Sequence, residues 1–491
     1  MSDGEGELHQ TGQTRLLVVG AGEAGRSLVL EIQAESLPVE PVAFLDDDPS
    51  LLGQMVCGLP VLGGTEDLPV AAEKVRAQEI LIAIPSATGA LIRRLVILCR
   101  RAGLPFKIVP GIRAIIEGDV SFDQIRQVAP EDLLGRESVT IRAGSARKLV
   151  TGCSVLVTGA GGSIGAEICR QLLVLAPAEI LMFGRGENSL FEITAELDPI
   201  AGETLLRPVI VDIRDDQRLQ VLAKRHRPSL ILHAAAHKHV PMMEDNPEEA
   251  VIVNVAGTAN MIAFARSVAA ERFVLISTDK AVSPHSVMGA TKKVAELLVQ
   301  AASENGGPTR FMTVRFGNVL GSRGSVVPLF QHRIREGRPL QITDARMTRY
   351  FMTIKEAVLL VIEAMVLGEN GATYILEMGD PVSILELAKN LLILSGFDPD
   401  NGDDGPGIEI TGLRPGEKLH EALVASDERV ESSPNPLIRK AWLGQGFSCD
   451  PESVLATLLP PAMAGDREGV RTALEKVLGS VDLSSSRSEP C

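Results

Sequence analysis

Residues 154–165 read SVLVTGAGGSIG, an apolar run ending in a threonine and followed by glycines at 159, 162 and 165. The apolar half suits a strand covered on both faces, and the glycine half a turn from strand into helix. Glycines so spaced let the backbone approach a pyrophosphate, and the helix they open favours an anion at its N-terminus. Outward from this turn, EILMFG (179–184), LLRPVIVD (205–212), LILHAAA (230–236) and RFVLIST (272–278) are further apolar runs separated by helical patterns. That alternation predicts an α/β domain with a doubly wound parallel sheet.

The pattern also occurs upstream. RLLVVG (15–20) runs into Gly20, Gly22 and Gly25, and Asp46 closes the next apolar run. This is a dinucleotide fingerprint in its proper context, although glycines kept only for helix–strand packing would look the same, and the residues name no ligand. The expected organisation is α/β throughout, with two Rossmann-like doubly wound domains in tandem. The first covers 15–110 and the second 151–483. A connector at 111–150 with one strand and one helix joins them, and polar tails at 1–14 and 484–491 flank them. Glycine and proline punctuate the run from Gly337 to Gly416, where a smaller, substrate-binding portion of the second domain is expected.

Of the 491 residues, 45% are hydrophobic and 23% charged, a globular balance with room for two cores. A formal net charge of −15 argues against nucleic acid and anionic membranes as partners and leaves small phosphorylated ligands. Six cysteines without CxxC spacing suit a reducing compartment rather than disulfides or zinc. Met1–Thr14 lacks the apolar core of a secretory signal, and no run is read as a membrane span. A cytoplasmic chain is expected.

After the 272–278 strand come Thr278, Asp279 and Lys280, and then VMGATK at 287–292. Short-chain dehydrogenases carry a YxxxK helix after a strand bearing Ser or Thr, and this chain resembles them with Met288 in the tyrosine place and Lys292 four residues on. Neither Tyr350 nor Tyr374, the two tyrosines, has a lysine four residues later. Methionine exchanges no protons, which favours a nucleotide-sensing scaffold. Against that stands a longer resemblance. STDKA (277–281), VMGATK, HAAAHKHVPMMEDNP (233–247), VRFGNVLGSRGSVVPLF (314–330), MTRYFMTI (347–354) and LRPGEKLHEAL (413–423) are similar to the bacterial polysaccharide-biosynthesis UDP-N-acetylglucosamine 4,6-dehydratases. These are extended short-chain dehydrogenases whose longer members carry methionine here. Residues 15–150 resemble the soluble N-terminal domain of those longer members; their transmembrane helices are not read in this chain, so direct membrane attachment is not expected.

The resemblance implies a tightly held NAD or NADP recycled within each turnover, on Gly159, Gly162, Ser163, Ile164, Gly165, Arg185, Asp212, Ile213, Ala234, Ala235 and Lys292. Arg185 suits a 2′-phosphate and Glu187 a 2′-hydroxyl, so both cofactors stay open. It assigns Lys280 as the base at sugar C5, Asp279 as the acid to the departing C6 hydroxyl, Thr278 as a hydrogen-bonding guide, and Lys292 as the holder of the nicotinamide ribose. The acceptor of the C4 hydroxyl proton stays open among Asp279, Lys280 and a water. Lys238, His239, Asn318, Arg323, Arg349, Arg414 and Glu417 are the expected substrate residues, with Arg315 a further guanidinium for the diphosphate. His233, His237 and His239 lack matching acidic or cysteine spacing, so no metal is expected. A UDP-sugar 4-epimerase is the rival enzyme, and a homo-oligomer is expected.

Overall fold

The computed structural model describes residues 13–35, 37–109, 125–132, 143–399, 405–442, 450–479 and 483. Both tails and most of the 111–142 stretch lie outside the described residues. The chain divides into two units. One comprises Met1–Ser138, Arg333–Leu340 and Leu387–Gly407, the other Val139–His332, Gln341–Glu386 and Ile408–Cys491.

In the first unit four parallel strands stand in the order Val39–Leu45, Thr14–Val19, Glu79–Ile82, Phe106–Ile108. Successive strand residues face opposite ways, so Leu17 and Val19 pack with Ile92, Leu95 and Val96 of the helix Gly89–Arg101. Leu16 and Val18 pack with Leu28, Val29 and Ile32 of Glu23–Glu35 on the other face. Helices on both faces are why these strands read as unbroken apolar runs. At the glycine turn, Gly20 has φ +107°, and a Cβ on Gly25 would lie 2.0 Å from the Gly20 carbonyl oxygen. Asp46 accepts from the Ala21 N–H at 2.7 Å and the Asp48 N–H at 2.9 Å. Its carboxylate therefore holds its own turn.

The second unit is built on a nine-stranded sheet. Its parallel part runs Leu205–Ile210, Glu179–Gly184, Ser154–Thr158, Leu230–His233, Arg272–Thr278, Arg310–Phe316 and Thr373–Leu376. Ile438–Trp442 and Arg429–Ser432 then add on antiparallel. One face packs against the helix Val287–Glu304, the other against Ser163–Leu173 and Ile354–Leu367. The doubly wound α/β reading thus holds in both units. Leu205–Ile210 is an exposed edge, the position in a sheet that tolerates its Pro208. Strand order reverses between Ser154–Thr158 and Leu230–His233, which opens a crevice at the carboxyl ends of these strands.

The helix Pro247–Ser267 is long and apolar enough by length and mean hydropathy to cross a membrane, though the sequence reading marked no such run; 61% of its most apolar window is buried. Residues Val251–Ala256 within it are π-helical. Asn254, inside that wide turn, accepts from the His237 N–H at 2.8 Å and donates to the His237 carbonyl at 3.1 Å and to Thr291 Oγ1 at 3.0 Å. It ties the loop after strand Leu230–His233 to the helix Val287–Glu304. The helix Arg467–Leu478 is anchored by Arg471, which donates to Glu244 Oε2 at 2.8 Å, while Glu244 Oε1 accepts from the Val287 N–H.

Candidate active site

The crevice begins at the glycine turn. Gly159 has φ +67°, and a Cβ on it would lie 2.9 Å from the Ala235 Cα. A Cβ on Gly165 would lie 2.1 Å from the Gly159 carbonyl oxygen. The turn is thus folded tightly against the Ala234–Ala235 backbone. Gly162 caps the helix Ser163–Leu173 without a side chain, which leaves the N–H groups of the first turn, at Ser163 and Ile164, facing outward. Such a cradle, whose tight backbone would admit no Cβ at 159 or 165, fits a dinucleotide pyrophosphate.

At the end of the neighbouring strand, Arg185 is exposed just beyond Glu179–Gly184. Asp212 accepts from the Arg214 backbone N–H at 2.9 Å and its guanidinium at 2.8 Å. Burial pushes the Asp212 carboxyl up, but Arg214 and Arg185 outweigh it and hold it below the ordinary carboxylate range. Ile213 backs onto Gly257, where a Cβ would lie 2.5 Å from Ile213 Cδ1.

The histidines separate in the fold. His233 is fully enclosed, with Nδ1 2.7 Å from Thr158 Oγ1 and Nε2 3.1 Å from Thr258 Oγ1. Burial, aided by the Lys292 charge, pushes it down to about 3, so the ring is neutral. His237 Nε2 sits 3.8 Å from Glu249, and His239 lies against Gly324. Among the described residues no group of three or more His, Cys, Asp or Glu is placed to hold a metal.

Strand Arg272–Thr278 delivers the chemistry at its carboxyl end. Asp279 is fully buried, and its Oδ1 accepts from Thr278 Oγ1 at 2.9 Å and Lys280 Nζ at 3.0 Å. Lys280 Nζ also donates to Asn318 Oδ1 at 3.1 Å. Gly317 makes room for the other carboxylate oxygen, because a Cβ there would lie 3.2 Å from Asp279 Oδ2 and 2.9 Å from Tyr350 Cβ. Gly289 does the same for the Lys280 carbonyl, which a Cβ would meet at 2.3 Å. Lys292 Nζ donates to the Ile276 carbonyl at 2.6 Å, and burial pulls this ammonium down to about 8. Met288 is 2% exposed and belongs to the apolar cluster on that face of the sheet, so its thioether packs.

The expected substrate residues fall into different places. Asn318 meets Lys280 directly. Lys238 Nζ donates to the Arg323 carbonyl at 2.8 Å, and the Arg323 N–H donates to Ser163 Oγ at 3.0 Å. That pair therefore closes over the glycine turn, with the Arg323 guanidinium reaching Gly161 and Glu192. Arg349 is buried and donates to the carbonyls of Thr348 and Leu419. Arg414 is exposed and bonds locally to Glu417 through its N–H at 3.4 Å.

A diphosphate role for Arg315 is corrected. Its side chain is 1% exposed, and its nitrogens make five bonds, to Glu296, Glu428 and the Leu423 carbonyl. A guanidinium has five N–H donors, so none remains for a phosphate.

Two residues that the reading passed over join the cluster. Glu421 Oε1 is 3.8 Å from Lys280 Nζ, and Lys418 Nζ is 3.7 Å from Glu421 Oε2. Burial lowers the Lys418 ammonium from its ordinary value. Both lie in the quoted stretch 413–423, so their signal was present in the sequence.

Residues 155–441 match a family described as polysaccharide biosynthesis protein, and residues 6–110 one described as CoA-binding domain. The probable polysaccharide biosynthesis protein EpsC of Bacillus subtilis is 45% identical over 417 residues, 84% of this chain and 69% of that one. The UDP-N-acetylglucosamine 4,6-dehydratase (inverting) of Campylobacter jejuni is 35% identical, covering 57% of this chain and 80% of its own length. The UDP-glucose 4-epimerase of Rickettsia typhi is 33% identical, with the same 57% and 80% coverage.

Proposed function

Because the chain belongs to the polysaccharide biosynthesis protein family, a group of extended short-chain dehydrogenases, we propose that it is an NAD(P)-dependent sugar-nucleotide 4,6-dehydratase. Its substrate in this reading is UDP-N-acetylglucosamine and its product a UDP-4-keto-6-deoxy-N-acetylhexosamine for polysaccharide or glycan assembly. The observation that carries the reading is the pair of buried Asp279 and part-buried Lys280 at the carboxyl end of the strand, held against Asn318.

A bound NAD or NADP supplies a hydride acceptor for sugar C4 and a donor for C6. The residues for it are Gly159, Gly162, Ser163, Ile164, Gly165, Arg185, Asp212, Ile213, Ala234 and Ala235, with Lys292 at the ribose. The rest of the chemistry is proton movement. Oxidation at C4 acidifies the C5 hydrogen, which Lys280 removes, and the C6 hydroxyl departs as water with a proton from Asp279. Thr278, bonded to Asp279 Oδ1, fixes the carboxyl and leaves its own oxygen to accept from a sugar hydroxyl.

A 4-epimerase is the second reading, supported by the Rickettsia relative. Epimerisation needs no acid at C6, so a dedicated Asp–Lys pair favours elimination. Proton NMR of UDP-N-acetylglucosamine with the purified chain, first alone and then with NAD⁺ or NADP⁺, separates the outcomes. A new C6 methyl signal, lost in Asp279→Asn and Lys280→Ala, is expected. Inversion at C4 without a methyl signal would select the epimerase, and an unchanged spectrum with both cofactors a non-catalytic nucleotide-binding role.

A further inference from the structure

We propose that Glu421 is a positioning residue that carries a proton for this site through Lys280. The inference rests on the dehydratase reading above.

The Glu421 side chain is 4% exposed, and its Oε2 has no hydrogen-bond donor among the described residues. Asp279, on the other side of Lys280, is fully buried, and its Oδ2 is equally unmatched. Buried acceptors without donors are costly to a fold and are retained where function uses them. Between the two carboxylates sits Lys280 Nζ, 3.0 Å from Asp279 Oδ1 and 3.8 Å from Glu421 Oε1. Lys418 Nζ stands 3.7 Å beyond Glu421 and is itself fixed by the Val282 carbonyl at 2.8 Å. Carboxylates and ammoniums thus alternate along a line of successive contacts, Asp279, Lys280, Glu421, Lys418.

The reaction needs such a line. The sugar gives up one proton from the C4 hydroxyl and one from C5, then gains one on the departing C6 oxygen and one at C5, while the hydride leaving C4 returns at C6. Two protons come off and two go on. Lys280 can hold the C5 proton and Asp279 can give the one for water. The C4 hydroxyl proton has no holder, since Met288 is an apolar packing residue without an exchangeable proton. In the neutral form Lys280 takes that proton and passes it to the Glu421 carboxylate. Lys280 is then free to accept the C5 proton and later return it. After water has left, the Glu421 proton goes back through Lys280 to the Asp279 carboxylate, and every group ends as it began. The Lys418 charge stabilises Glu421 while it is ionised.

The test is steady-state turnover of UDP-N-acetylglucosamine by the full chain across pH, with Glu421→Gln, Glu421→Ala and Glu421→Asp beside it. Glu421→Gln should lower kcat by on the order of 100-fold with KM within about threefold and a pH profile of changed shape. In Glu421→Ala, added formate should restore part of the lost turnover. Wild-type activity alongside Glu421→Gln turnover within about threefold and an unchanged profile would overturn the proposal and leave the dehydratase reading standing. So would a loss that formate does not relieve and that raises KM as much as it lowers kcat. If the amide variant fails to fold, Glu421→Ala decides, with turnover within about threefold of wild type counting against, while Glu421→Asp, which keeps a carboxylate, should retain more turnover than Glu421→Ala. A wild-type chain inactive on this sugar takes both readings down together.

Discussion

Arg315 Nη2 and Glu296 Oε2 lie 2.7 Å apart, with side chains 1% and 3% exposed, between strand Arg310–Phe316 and helix Val287–Glu304. Glu428 closes the other side of the guanidinium at 2.8 Å. Removing one partner of a buried pair leaves the other charged and unmatched, at about 3–5 kcal/mol. Arg315→Ala should lose stability of that order in urea denaturation, while NAD(P) affinity of the folded fraction stays put. A parallel loss of cofactor affinity would return Arg315 to the binding site.

The same network sets an acid limit. Burial pushes Glu296 and Glu428 up, but Arg315 and Lys293 outweigh it and hold both below the ordinary glutamate value. Groups with depressed folded values stabilise the fold fully above the unfolded value of about 4.3 and lose that contribution as pH falls through the folded value. Wild-type stability should therefore fall off below the ordinary glutamate range. In Glu296→Gln with Arg315→Met the acid fall should be shallower, as a pH series of denaturation curves would reveal.

Lys292 works in the opposite window. Its ammonium is lowered by burial to about 8, against about 10.4 for an ordinary lysine. Between those values the unfolded chain binds more protons, so stability should rise with pH across the window. Lys292→Met should flatten the rise and weaken NAD(P) binding. Calorimetric titration and unfolding across pH 7 to 10 check both; a rise that persists in the variant assigns it to another group.

Two glycines should behave differently. A Cβ at Gly165 would lie 2.1 Å from the Gly159 carbonyl oxygen, whereas one at Gly22 would meet nothing within 4 Å. Gly165→Ala should cost about 1–3 kcal/mol and abolish the thermal shift given by NAD(P). Gly22→Ala should melt as wild type. Equal melting temperatures for the two variants would mean that the second turn has slack.

Met288, 2% exposed in an apolar cluster, should tolerate a change of chemistry but not of volume. Met288→Leu should cost under about 1.5 kcal/mol and keep kcat, because a thioether holds no proton to lose. Met288→Tyr, which restores the usual phenol, should cost about 1–3 kcal/mol through overpacking and gain no rate. A faster tyrosine variant would show that the pocket can accept a phenol after all.

Much of the fold was legible because parallel strands buried on both faces leave uninterrupted apolar runs, and each glycine turn marks where a strand hands over to a helix. Gly159 and Gly165 fold against Ala235, and Asp279, Lys280 and Asn318 meet at a strand end. The arginines did not announce their roles. Arg315 has one partner 19 positions back and another 113 positions on, a distance that no local pattern reports. Asp46 completes a dinucleotide fingerprint in the sequence, which cannot show that the Ala21 N–H already uses its carboxylate. Lys418 and Glu421 were in plain view, but their chemistry depends on a strand end some 140 residues earlier, which only the folded sheet brings beside them.

The wide turn at Val251–Ala256 gives its helix a spare residue. A π-helical turn holds one residue more than the α-turn it replaces. Removing one residue there would let the helix close to ordinary pitch, about 100° per residue, and keep the groups on either side on their present faces, because the wider turn covers nearly the same angle with one residue more. The change would fall on Asn254 inside the turn, whose bonds to His237 and Thr291 tie the crevice wall to the helix that carries Lys292. A one-residue deletion here should consequently leave the rest of helix Pro247–Ser267 packed as it is and act on the crevice alone, lowering cofactor affinity more than melting temperature.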